Sequence, residues 1–125
     1  MSTQKSHLLS GLKKATIEML LLKMLSESDM YGYQLSQEIK KRSSGMYTIL
    51  EGSMYPILYR LTEQGHISFY ETKVGKRQTR VYYHLEQSGK IYLDQLVLSY
   101  YQYIDLISFL LNTKEGDTYE QNSDK

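Results

Sequence analysis

Residues 51–67 read E-G-S-M-Y-P-I-L-Y-R-L-T-E-Q-G-H-I, and the fold follows from how they divide. Ser53 is a candidate helix cap, because its side-chain oxygen can accept an orphan backbone N–H. Pro56 then falls in the first turn, where its missing donor costs nothing. Ile57, Leu58 and Leu61 recur at helical spacing on one apolar side, whereas Tyr55, Tyr59, Arg60 and Gln64 lie mostly off it. Gly65 stands just past the last turn, the favoured place for a left-handed residue. A helix with one greasy side and one aromatic and basic side is suited to reading DNA.

Downstream, His66 to Lys73 alternates as a strand, with Ile67 and Phe69 on one side and Ser68 and Tyr70 on the other. Val74-Gly75-Lys76-Arg77-Gln78 supplies a turn, and Thr79 to Leu85, rich in β-formers, is the returning strand. Lys73, Lys76, Arg77 and Arg80 crowd this tip, with Glu71 the only nearby acid. Such a tip suits phosphate contact, since neutralising phosphates releases counterions.

Upstream, Leu8 to Leu25 carries a helical pattern with Leu9, Leu12, Ile17, Leu20, Leu21, Met24 and Leu25 on its apolar face. Ser26-Glu27-Ser28-Asp29 breaks it. Met30 to Arg42 is expected as a second helix, with Leu35 and Ile39 inward and Lys40, Lys41 and Arg42 at its C-terminal end. Ser43-Ser44-Gly45 ends this helix, and Met46 to Leu50 leads into the helix quoted above. Two helices in succession, the second presenting polar and aromatic groups, form a helix-turn-helix.

The last helix is expected from Gln87 to Asn112, roughly 40 Å long at 1.5 Å per residue. Leu93, Val97, Tyr100, Ile104, Ile107 and Leu111 are spaced alternately four and three apart, the repeat of a coiled-coil seam. Leu96, Tyr103 and Leu110 widen it. Left bare, such a stripe is a large apolar patch of a kind that monomers avoid, so a homodimer packed along this helix is expected. The division is residues 1–85 as a winged helix-turn-helix domain (wing about 66–85), 86–112 as a dimerisation helix, and 113–125 as a polar, disordered tail. The class is α+β, mostly helical.

Composition narrows the function. A hydrophobic content of 41% supports a packed core. With no cysteine, a disulfide framework and a thiolate zinc site are excluded, and a reducing compartment fits. The N-terminus lacks a secretory pattern, and the apolar window Ile91 to Leu111 is interrupted by Asp94, Gln95, Gln102 and Asp105. The expected location is the cytoplasm, without a membrane span. Residues 1–90 carry 13 basic and 8 acidic side chains, residues 91–125 carry 2 and 6, a polarity that suits one face turned to a polyanion. His7, His66 and His84 lack carboxylates at ligand spacing and read as surface or strand residues, so no metal is expected. Without a phosphate loop, nucleophile elbow or paired carboxylates, neither an enzyme nor a cofactor is expected.

The residues also carry a family likeness. Tyr31-Gly32-Tyr33 at the second helix, Glu51 to Leu58 opening the third, Arg60-Leu61 with Gly65 closing it, and R-V-Y-Y-H-L from Arg80 to Leu85 with Gly89 resemble the PadR family of bacterial transcriptional regulators in its short form. The likeness spans roughly Leu12 to Leu111. Gln34 departs from it, standing where an acid is common, and so does Glu86, where threonine usually caps the last helix. The resemblance implies a homodimer on a palindromic double-stranded DNA operator, usually as a repressor. By it, Ser53, Tyr55 and Pro56 belong to the DNA-facing start of the recognition helix, with Arg60 on the same helix. Tyr31, Gly32 and Tyr33 meet the backbone, and Lys76, Arg77 and Arg80 are the wing's phosphate contacts, with Lys73 beside them by the charge of the tip. Some relatives bind phenolic acids or flat aromatic drugs near the dimer interface. Tyr100, Tyr101 and Tyr103 leave room here for a small aromatic ligand, though no tryptophan is present to stack on it.

Blander readings stand beside these. Tyr82 and Tyr83 face opposite sides of a strand, so at least one is expected to be core rather than contact, and Tyr59 can equally pack on the wing or reach DNA. The alternative class is a winged-helix protein-interaction module whose basic tip takes an acidic partner.

Overall fold

The computed structural model describes residues 16–120. Its elements are α1 (Ile17–Glu27), β1 (Met30–Tyr31), α2 (Gly32–Arg42), α3 (Glu51–Glu63), β2 (Ile67–Val74), β3 (Gln78–Leu85) and α4 (Gln87–Asn112). The three strands form one antiparallel sheet in the order β1-β3-β2. This is the winged helix-turn-helix anticipated from the sequence, with its long last helix. The expected start of the first helix, including Leu9 and Leu12, lies outside the described residues.

Two boundaries move. Met30 and Tyr31 do not open α2 but pair as a strand with Tyr83 and Tyr82. Two residues are too few to show an alternation, so the strand becomes visible only when β3 lies beside it. Helix α3 starts at Glu51 with Leu50 as its flanking residue, which makes no side-chain cap, so Ser53 is a helical residue rather than the cap. Packing decides the shift: Met54, Leu58 and Leu61 are all fully buried at i, i+4, i+7, and Met54 reaches the core only if helix already precedes it. Pro56 accordingly sits in the second turn and removes one backbone donor there.

The core combines Leu21 and Leu22 of α1, Leu35 of α2, the α3 trio and Ile67 of β2, all under 2% exposed. Each such side chain contributes about 1.5–3 kcal/mol on burial, most of which offsets chain entropy. Gly89 lets α4 approach closely, since a β-carbon there would lie 2.1 Å from the carbonyl oxygen of His66. The amide of Glu86 donates to that carbonyl, and Ser88 Oγ donates to Gly65 O at 3.0 Å. The first turn of α4 is thereby pinned to the end of α3, and Glu86 itself accepts from Ser68 Oγ at 2.6 Å.

The chain divides into two compact units, one ending at Leu93 and the other beginning at Asp94. Leu93 is buried within the first unit. That corrects its place in the expected dimer seam, because this chain's own core already covers it. In the second unit Val97 and Ile107 are partly covered, while Tyr100, Ile104 and Leu111 are exposed, Leu111 by 79%. Of the expected polar tail, residues 113–120 are described and form no helix or strand, but several side chains engage there. Thr113 Oγ1 and the Lys114 amide donate to Asp117 Oδ2, Tyr119 donates to Asp105 Oδ2 at 2.8 Å, and its ring meets Phe109 edge-on.

Candidate nucleic-acid interface

At about 100° per residue, burial of Met54, Leu58 and Leu61 turns Gly52, Pro56, Tyr59 and Glu63 directly outward from α3. Tyr59 is 68% exposed, the fullest display of any aromatic ring on this helix. So exposed a ring is not packed on the wing, the blander of its two readings. Ser53 flanks this ridge and is exposed. No side chain caps the helix start at Leu50, whose carbonyl already accepts from the Ser53 and Met54 amides.

Tyr55 points elsewhere. Its ring is laid over Gly32, the first residue of α2, where a β-carbon would lie 2.2 Å from the Tyr55 hydroxyl oxygen. Burial, and then the negative charge of Glu51, push the Tyr55 hydroxyl above its ordinary pKa, so it stays a neutral donor at physiological pH. Arg80 sits over the ring of Tyr31 at 4.4 Å, a cation–π contact that orients its guanidinium. Tyr31, Gly32, Tyr33, Tyr55, Arg80, Val81 and Tyr83 together line an open cavity of about 280 Å³. Five of the sequence-chosen residues, drawn from β1, α2, α3 and β3, thus meet at one place.

The wing turn, residues 75–77, follows Val74 and uses Gly75 at φ +74°. Lys73, Lys76 and Arg77 are exposed around it, and no hydrogen bond or ion pair engages them among the described residues. They are solvated cations at a protruding edge. Lys40 and Lys41 are likewise exposed, whereas Arg42 is bound by Glu27 and Glu38.

Arg60 departs from expectation. Its Nη1 donates to Glu18 Oε2 at 2.8 Å, which places it on the α1 side of α3 and away from the tyrosine cavity. That contact holds its pKa above the ordinary arginine value. A helical wheel shows Arg60 off the apolar face but cannot show a carboxylate brought in from far upstream.

On the outer face of the sheet Tyr82 meets Tyr31 edge-on and stacks with Tyr70. Tyr70 donates to Asp29 Oδ2 and His84 Nδ1 lies 2.8 Å from Asp29 Oδ1. Burial opposes ionisation of Asp29, but these two partners outweigh it and hold the carboxyl below its usual range. The pairing of His84 with Asp29 arises only in the fold. Among the described residues no three metal-ligating side chains cluster, and no helix is long and apolar enough to cross a membrane.

A three-stranded wing with a cationic tip beside an exposed helix of a helix-turn-helix defines a winged-helix protein of the nucleic-acid-binding type. Residues 21–95 match the transcriptional regulator PadR-like family, and the chain belongs to that family. Among solved structures it is similar to a PadR family transcriptional regulator from Eggerthella lenta, at TM-score 0.80 and 26% identity, covering 90% of this chain and 96% of that one. A transcriptional regulator from Clostridium thermocellum matches at TM-score 0.74 and 26% identity, over 78% and 95% of the two chains. The transcriptional regulator YqjI of Escherichia coli is 37% identical over 62 residues, half of this chain but 30% of that longer protein. The family and these neighbours are described as transcriptional regulators and not as enzymes.

Proposed function

We propose that the chain is a sequence-specific DNA-binding regulator that acts as a homodimer on a palindromic operator and represses by occupying it. The observation that carries this reading is the division of α3. One side is core, one flank holds the tyrosine cavity and the other is tied to α1, so the Gly52, Pro56 and Tyr59 ridge alone is left to meet base edges. Ser53 joins it at the helix start. Tyr31, Tyr33, Tyr55 and Arg80 take backbone phosphates beside the major groove, with Gly32 admitting the Tyr55 ring. Lys73, Lys76 and Arg77 hold the flanking phosphates.

The dimer rests on the apolar stripe of α4, where, among the described residues, Tyr100, Ile104 and Leu111 are exposed and Val97 and Ile107 only partly covered. Two recognition helices related by a twofold axis would read half-sites about one helical repeat (~34 Å) apart. Tyr100 and Tyr101 meet edge-on and Tyr103 is exposed nearby, a surface on which a small aromatic or phenolic ligand would bind and release the operator. Such a protein works in the cytoplasm, where its operator is. Selection from a pool of randomised duplexes tests the reading. A recovered palindrome with half-sites about 10 base pairs apart supports it, and recovery of unrelated sequences refutes it.

A further inference from the structure

Arg60 and Tyr92 are brought to a single oxygen. Glu18 Oε2 accepts from Arg60 Nη1 at 2.8 Å and from the Tyr92 hydroxyl at 3.0 Å. Arg60 lies in the last turn of α3, Tyr92 in the second turn of α4, and Glu18 in the first described turn of α1. The Glu18 side chain is 19% exposed, so this is not a fully solvated surface pair. Tyr92 is held from its other side too, its ring stacked on His66 with centroids 4.4 Å apart and planes 8° from parallel. His66 immediately follows the turn that ends α3, and its carbonyl lies beneath Gly89. The end of the recognition helix is therefore gripped by the beginning of the dimerisation helix through a charge-assisted bridge as well as through packing.

We propose that Glu18 is a positioning residue for DNA reading, which sets the pose of α3 against the start of α4 by holding Arg60 and Tyr92 together. The proposal rests on the DNA-binding reading above. Glu18 itself touches no DNA; it lies on the flank of α3 opposite the tyrosine cavity. Its effect is on the angle at which the Gly52, Pro56 and Tyr59 ridge is presented. Base readout depends on that angle within fractions of an ångström, whereas phosphate attraction by the wing does not. Loosening the bridge therefore lowers discrimination and spares non-specific affinity.

The test uses full-length Glu18→Ala, Glu18→Gln and Tyr92→Phe, each assayed by fluorescence anisotropy on a duplex selected by the wild-type protein and on a scrambled one. Ala and Gln remove the same charge, so a difference between them reports the hydrogen bonds rather than the net field. Tyr92→Phe keeps the ring on His66 and deletes only the donor. We expect the operator-to-scrambled ratio to fall about tenfold in Glu18→Ala, to recover most of that in Glu18→Gln, and to fall severalfold in Tyr92→Phe. Combined with Glu18→Ala, Tyr92→Phe should add nothing, since the shared acceptor is already gone. Scrambled-DNA affinity should be equal in the Ala and Gln variants. Unchanged discrimination in Tyr92→Phe, or equal discrimination by Ala and Gln, overturns the positioning role and leaves DNA reading intact. A wild-type protein with no preferred duplex overturns both. If Glu18→Ala fails to fold, Tyr92→Phe and Glu18→Gln decide the matter.

Discussion

The hydroxyl oxygen of Tyr55 stands where a side chain on Gly32 would have to go, 2.2 Å from an ideal β-carbon at that position. This close approach joins the first residue of α2 to the first turns of α3, and it explains a glycine at a helix start better than any turn geometry does. Alanine ordinarily favours a helix over glycine by about 1 kcal/mol. Here the Tyr55 ring must swing aside to admit a methyl, so Gly32→Ala should give less than that gain by urea denaturation, a penalty set by the displaced ring. Adding Tyr55→Ala should remove that specific penalty. A Gly32→Ala gain of the full ~1 kcal/mol would contradict the close approach.

The wing cations can be counted by salt. Lys76 and Arg77 are exposed and unpaired among the described residues, so each is available to displace a counterion. Replacing both by Ala should weaken binding to all duplexes alike and flatten the slope of log affinity against log salt by about 0.9 for each phosphate no longer neutralised. An unchanged slope removes the tip from the interface.

Tyr59 and Tyr55 should separate. Tyr59→Ala should lower the preference for operator over scrambled DNA by about 1–3 kcal/mol, the scale of one base-edge contact. Tyr55→Phe, which keeps the ring over Gly32 and deletes a phosphate donor, should weaken both duplexes by a similar factor. The reverse pattern would return Tyr55 to base readout.

Ile104 is 47% exposed at the middle of the α4 stripe. Ile104→Asp should yield monomers by light scattering and abolish tight operator binding while leaving the melting of the first unit in place. A persistent dimer would place the interface elsewhere.

Among the carboxylates held below their usual range, Glu27 is shifted furthest. Arg42 donates two hydrogen bonds to Glu27, and this lowers the Glu27 pKa to about 2 from an unfolded value near 4.5. A depressed carboxylate contributes stability that is present above its unfolded pKa and lost as pH falls through the folded one. The melting-temperature gap between wild type and Glu27→Gln should thus be largest above pH 5 and shrink between about pH 4.5 and about pH 2. A gap independent of pH would show that the ion pair is not responsible.

Much of this is legible without any coordinates. Helix α4 spans Gln87–Asn112 as its long apolar repeat implies, and the wing and its tip fall where alternation and turn residues put them. These signals are local and repeated. What stays hidden depends on partners distant in the chain. β1 needs β3 to be a strand, and Arg60 needs Glu18 to become a paired cation. Tyr55 needs Gly32 to lie down rather than stand out. The start of α3 is displaced from its local signals because Ser53 and Pro56 resemble a cap and first turn, which burial of Met54 overrides.

The central claim is that this fold prefers particular DNA, and fluorescence anisotropy tests it most directly. A duplex from upstream of the chain's own gene is measured beside a scrambled one at low and at raised salt. A preference for the native duplex that survives the raised salt is the expected result. Weak binding, equal for the two duplexes and abolished at the higher salt, would contradict it and leave only a basic wing.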